Sequence, residues 1–266
     1  MKFEKNQNKE NIMQKIDINH ETGLILGCSD MDPENPKFLR ATSPSPTLVV
    51  GSIGSGKTSG IIIPNLLSVP NSSVILDIKG ELYEKTAGYR QKFLKNEIRI
   101  IDFENEANLD FNFDDLLKKQ ISLYIVAKIE NLQYQAPLIG NFIKTLFKTL
   151  NKKENLDPNK IVYCYLDEFF CLRNSNMQSL ITGSTFFKNS ALLPVLTAQS
   201  YDQISGIYNN KTMDIIKNNM EYQVVILKDS YISIFVKEYG EIPISSFKLP
   251  FWFRINKWKE VNKVKS

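Results

Sequence analysis

Two patterns of apolar residues alternate along the chain: short unbroken runs that end in glycine or an acid, and longer stretches in which apolar positions recur every third or fourth residue. Runs of the first kind suit strands buried on both faces of a parallel sheet, and stretches of the second kind suit amphipathic helices. Thr47-Leu48-Val49-Val50, Ser73 to Asp77, Ile98 to Phe103, Ile161 to Asp167, Leu192 to Thr197 and Gln223 to Leu227 are read as strands. Ser59 to Leu67, stopping before Pro70, and Glu81 to Leu94 are read as helices. From Asp114 to Leu150 the pattern is helical throughout, with Phe142, Leu146 and Leu150 spaced four apart. Five or six strands alternating with helices predict a doubly wound α/β domain, with a mainly parallel sheet flanked by helices on both faces.

The ends of the chain read differently. Residues 1–20 are polar and predict a mobile tail, and Asp30 to Pro46, broken by Pro33, Pro36, Pro44 and Pro46, predicts an irregular lead-in to the first strand. Lys248 to Ser266 holds six basic residues against Glu260 alone, with Phe251, Trp252, Phe253 and Trp258 interleaved. Lysines can neutralise phosphates and aromatic rings can stack on bases, so residues 247–266 are a candidate DNA-contacting tail, or a tail whose rings pack back on the domain. The domain itself is expected over residues 21–246.

Composition narrows the class without naming a function. Apolar residues at 42% and charged residues at 23% are ordinary for a globular protein and exclude a fibrous or wholly disordered chain. A formal charge of +4 permits a nucleic-acid partner but does not require one. Cys28, Cys164, Cys171 and the single His20 lack metal-ligand spacing, so reduced thiols are expected. No apolar run approaches the roughly 18 residues of a membrane span.

The chemistry lies at strand ends. Gly51-Ser52-Ile53-Gly54-Ser55-Gly56-Lys57-Thr58 follows the first strand and opens a helix, the setting of a phosphate-binding loop. Backbone N–H groups and the helix N-terminus face the anion, Lys57 neutralises the β/γ-phosphates, and Thr58 offers a hydroxyl to Mg²⁺. Asp167, at the end of its strand, is the candidate second Mg²⁺ ligand, and Glu168 the candidate that polarises the attacking water. Gln199, directly after the strand from Leu192, is placed to sense the γ-phosphate or orient that water. ATP and Mg²⁺ are therefore the expected ligands. The nearest approach to a guanine-recognition tetrad, Asn210-Lys211-Thr212-Met213-Asp214, puts its acid one residue late, which argues against guanine specificity.

Together these pieces resemble the coupling proteins of type IV secretion systems, ATPases that recruit DNA or protein substrates to conjugation and secretion channels. The resemblance runs from the loop through Ile63-Pro64-Asn65-Leu66-Leu67, Asp77-Ile78-Lys79-Gly80-Glu81-Leu82-Tyr83, Thr86 to Arg90, Ile101-Asp102-Phe103 and Phe111-Asn112. It continues with Leu166-Asp167-Glu168-Phe169, with Gln199-Ser200, Gln203 and Tyr208, and with Asp229 to Ile242. It implies a RecA-like core working as a homo-oligomeric, commonly hexameric ring, with DNA or a nucleoprotein as substrate and secretion-channel proteins as partners. It also implies a cytoplasmic position at the inner face of the membrane through those partners.

Three features depart from the family. No transmembrane helices are present. The large all-helical insertion is reduced to residues 113–160. Lys188, eleven residues before Gln199, stands where an arginine reaching into the neighbouring subunit's site is expected, and it lacks the planar guanidinium fork. The leading expectation is an ATP-hydrolysing motor or recruiter of conjugative or secretory transfer. The alternatives are a degenerate adaptor that binds nucleotide without useful turnover, and a soluble DNA-pumping ATPase unconnected to secretion.

Overall fold

The computed structural model describes residues 16–17, 22–28, 37–103, 111–150, 160–173, 175, 177–182, 191–227, 232–237 and 240–242. Its strands are β1 (Ile16–Asp17), β2 (Ile25–Cys28), β3 (Phe38–Ala41), β4 (Thr47–Val50), β5 (Ser73–Asp77), β6 (Glu97–Asp102) and β7 (Ile121–Val126). They continue with β8 (Val162–Leu166), β9 (Leu192–Ala198), β10 (Tyr222–Ile226), β11 (Ile232–Val236) and β12 (Gly240–Ile242). Strands β4 to β12 form one nine-stranded sheet in the order β12-β11-β10-β4-β9-β8-β5-β7-β6. From β10 to β6 every neighbouring pair is parallel, while β11 and β12 add an antiparallel hairpin at one edge. A second, three-stranded sheet has the order β1-β3-β2.

Each central strand buries alternate side chains in two separate cores. Leu48, Val50, Val74, Leu76, Cys164 and Leu166 face one layer, packed with α4 (Leu132–Leu150), α5 (Met177–Thr182), α6 (Tyr201–Tyr208) and α7 (Asn210–Asn219). Val49, Ile75, Tyr163, Tyr165 and Val195 face the other, packed with α1 (Ile63–Ser68), α2 (Glu81–Lys92) and the small sheet. Helices therefore cover both faces, as the alternating pattern predicts, and the small sheet shares one face with them.

Helix α1 begins with a widened π turn over Thr58–Ile62, in which the Ile63 N–H donates to the carbonyl of Thr58. Pro64 lacks the N–H that a regular helix would direct at Gly60, so the first turn opens instead of closing tightly. Asn65 ties this helix to the small sheet: its Oδ1 accepts from the N–H of Ile25 at 2.7 Å and its Nδ2 donates to the Ile25 carbonyl at 2.9 Å. At the far end of α1, the fully buried Arg90 donates to the carbonyls of Leu66 (2.6 Å), Val69 (3.0 Å) and Asn71 (2.8 Å) and to the hydroxyls of Ser73 and Ser122.

The structure corrects the sequence reading in three places. Residues 113–160, read as a reduced helical insertion, contain β7, an interior strand paired in parallel with both β5 and β6. Its run Ile-Ser-Leu-Tyr-Ile-Val is bounded by short α3 (Asp115–Lys118), Lys119 and Gln120, and is too short and too uniformly buried for an amphipathic helix. Ile16 and Asp17, in the stretch read as a tail, pair with Ala41 and Arg40. The lead-in from Asp30 to Pro46 contains β3, which pairs with β2 on one side and β1 on the other. Residues 247–266 and Lys188 lie outside the described residues. Among the described residues no helix is long and apolar enough to cross a membrane.

Candidate functional site

The site sits where β4, β9, β8 and β5 end, all pointing the same way. Strand β4 hands the chain to the phosphate-loop sequence, and the Gly51 N–H donates to the Ala198 carbonyl at 3.1 Å, so the loop starts beside the end of β9. Gly54 and Gly56 turn the loop with φ of 74° and 94°, a backbone region that a Cβ makes costly. Lys57 is buried, and its Nζ donates to the loop's own carbonyls, Gly51 at 2.6 Å and Ser52 at 3.1 Å. Burial lowers the affinity of its ammonium for the proton, while the nearby Asp167 and Glu168 carboxylates oppose that shift. The buried Ser55 hydroxyl has no hydrogen-bond partner. An orphaned hydroxyl in a glycine-turned loop, beside a cation held only by carbonyls, is a donor set that phosphate oxygens satisfy.

Asp167 extends β8 by one residue, and the pairing of Leu166 with Leu196 sets it opposite Thr197. Its Oδ2 accepts from the Thr58 hydroxyl at 2.7 Å and its Oδ1 from the Thr197 hydroxyl at 2.7 Å. Burial raises the pKa of this carboxyl, and the two hydroxyl bonds offset only part of the rise. Thr58 Oγ1 and Asp167 Oδ2 are hard oxygen donors, and their separation is near the roughly 3 Å between adjacent ligands of an octahedral Mg²⁺. The residues present therefore fit that ion.

Glu168 has a left-handed backbone, φ 52° and ψ 44°, uncommon for a side chain other than glycine. The turn is held at both ends: its N–H donates to Thr197 Oγ1 at 2.7 Å, and its carbonyl accepts from the N–H of Cys171 at 2.9 Å. Its carboxylate pairs with Lys79 Nζ at 2.8 Å. Lys79 lies in the turn after β5, which Asp77 fixes by accepting from the N–H of Tyr83 at 2.7 Å. Thr58, Asp77, Lys79, Glu81, Asp167 and Glu168 line one pocket there. Gln199 follows β9 next to Gly51, and its own N–H is held by Gln203 Oε1 at 2.9 Å.

The fold thus brings Gly51, Ser52, Gly54, Ser55, Gly56, Lys57, Thr58, Asp167, Glu168 and Gln199 to one edge of the sheet. Two participants have no role in the sequence reading. Thr197 bridges Asp167 and Glu168, and its signal is a single hydroxyl inside an otherwise apolar strand, two residues before Gln199. Lys79 is visible in the sequence only as part of a resemblance block, because its contact depends on β5 lying beside β8.

The family model described as "Type IV secretory system Conjugative DNA transfer" matches residues 2–109 and 105–231. "Conjugal transfer protein TraG" of Escherichia coli is 43% identical over 77 residues, which are 29% of this chain and 12% of that protein. A second TraG of Escherichia coli is 43% identical over 67 residues, 25% of this chain and 10% of that protein. The chain thus aligns to about a tenth of the length of these relatives. Among solved structures, the bacterial conjugative coupling protein TrwB lacking its N-terminal segment superposes with a TM-score of 0.55 at 14% identity, covering 77% of this chain and 72% of that one. TrwB in complex with the non-hydrolysable GTP analogue GDPNP superposes at 0.52 and 13%, covering 93% and 85%. These likenesses give the fold, a RecA-like P-loop NTPase core.

Proposed function

Because the chain belongs to the type IV secretory system conjugative DNA transfer family, we propose that it binds ATP with Mg²⁺ and hydrolyses it to drive or license transfer of a DNA or nucleoprotein substrate. The observation that carries this reading is the Thr58–Asp167–Thr197 chain of hydrogen bonds, which closes the phosphate loop onto the carboxylate strand. Backbone N–H groups of Gly54, Gly56 and Lys57 and the Ser55 hydroxyl receive the β- and γ-phosphates. Lys57 exchanges two carbonyls for phosphate oxygens, a better partner for a buried ammonium. Thr58 and Asp167 hold Mg²⁺, which when bound neutralises developing charge on the phosphates. Glu168 orients the attacking water and accepts its proton, and Gln199 holds that water or the γ-phosphate from the neighbouring strand.

The wider reading also rests on family membership. It comprises a homo-oligomeric ring, secretion-channel partners, and work at the inner face of the cell membrane through those partners. ATP hydrolysis by the purified chain, measured with and without single-stranded DNA and against Lys57→Ala, tests the proposal. DNA-stimulated turnover lost in Lys57→Ala supports it. Mg²⁺-dependent binding without turnover would instead favour an adaptor that uses nucleotide only as a structural signal.

A further inference from the structure

We propose that Lys79 is a positioning residue for this chemistry: it holds the Glu168 carboxylate toward β5 and yields it to the attacking water when a Mg²⁺-bound triphosphate fills the loop. The inference rests on the role proposed above for Glu168. The order of the sheet carries it. Strand β8, which carries Glu168, has β9 and then β4 on one side and β5 on the other. Gln199 and the phosphate loop come from the first side, and Lys79 comes from the second. A carboxylate bound to Lys79 Nζ at 2.8 Å is therefore tethered to the turn farther from the phosphate-loop strand.

The tether suits release. Lys79 is 51% exposed and Glu168 25%, and an ion pair so open to water biases a two-state side chain by no more than about fivefold. A Mg²⁺-bound triphosphate brings the attacking water into the pocket that Lys79 and Glu168 line, and that water competes with the Lys79 ammonium for the carboxylate. The backbone of Glu168 does not need to move, because Thr197 and Cys171 fix its N–H and carbonyl independently of the side chain. Only the carboxylate's rotamer changes. The Glu168 bond also strengthens the hold of Lys79 on its proton.

Two readouts test this together. The first is acylation of Lys79 by an amine-reactive ester, quantified by mass spectrometry. Glu168→Gln is expected to raise Lys79 labelling about threefold in the nucleotide-free chain, and Mg²⁺ with a non-hydrolysable ATP analogue to raise it in wild type. Equal labelling in wild type and Glu168→Gln would overturn the pair. Unchanged labelling on saturation with the analogue would overturn the release. The second is steady-state hydrolysis: Lys79→Met, which keeps the stem and removes the charge, should raise kcat about two- to fivefold with KM for ATP unchanged. A fall in kcat would mean that Lys79 assists the reaction instead of restraining Glu168. A wild-type chain that neither binds nor hydrolyses ATP would refute the function proposed above, while the nucleotide-free labelling comparison would still decide the pair.

Discussion

Among the described residues two cations, Arg90 and Lys57, are buried without a carboxylate in direct contact, and they are buried in opposite ways. Arg90 is fully enclosed, and all its nitrogens donate: three bonds to carbonyls around the end of α1 and two to serine hydroxyls. Lys57 has only two carbonyls, both from its own loop, and precedes Thr58, which lines a pocket. Burial pushes both toward losing a proton, yet only Arg90 has a rigid fork that satisfies every donor at once. Arg90 is a fastening that gains nothing from exchange. Lys57 holds partners that a phosphate can replace, so the same physical cost serves architecture in one place and binding in the other.

The comparison predicts unequal costs on removal. Arg90→Ala strands the buried carbonyls of Leu66 and Val69 and the half-buried one of Asn71, and should lower unfolding free energy by on the order of 3–5 kcal/mol in urea titration. Thr197→Val comes next, at about 2 kcal/mol, because it leaves the Glu168 N–H and one Asp167 oxygen without a partner. Thr197→Ser should recover most of that loss in the same titration. Asp167→Asn should have the opposite sign. A carboxyl whose folded pKa is raised by burial loses stability as pH rises through that value, so the wild type carries the penalty at pH 8 and sheds it toward pH 4. The variant should therefore be the more stable near pH 8, with the gap closing as the pH falls, while Mg²⁺-dependent nucleotide binding is lost. Lys57→Ala should change stability least, by about 1 kcal/mol, since relief from burying an ammonium offsets the loss of its bonds to the Gly51 and Ser52 carbonyls. Nucleotide affinity, read by equilibrium dialysis, should nonetheless fall more than about tenfold, or 1.4 kcal/mol. A large stability loss in Lys57→Ala, or a small one in Arg90→Ala, would erase the distinction.

What the sequence discloses follows the same division. The phosphate loop and its strand are legible because glycines, a lysine and a threonine must stand at fixed spacing around an anion. The strands from Ser73, Ile98, Ile161, Leu192 and Gln223 are legible because burial on both faces leaves unbroken apolar runs. Strand β7 is of the same kind, yet it sits between short α3 and long α4, whose four-residue spacing dominates the window. Strands β1 to β3 and the hairpin β11–β12 are short or lie at an edge, where no long run announces them. In the site, Asp167 stands out at the end of its strand, whereas Thr197 and Lys79 do not. Their partners are fixed by which strands are neighbours, β8 with β9 and β8 with β5, and chain order does not disclose adjacency.

The Asn65 amide meets Ile25 as one peptide unit meets another, giving and taking a hydrogen bond at a single residue of β2. Seven residues separate Asn65 from Thr58 along one continuous helical segment. A mechanical load applied to the small N-terminal sheet would thus be borne by the segment that presents the Thr58 hydroxyl. Tension there and occupancy of the loop would act on the same lever.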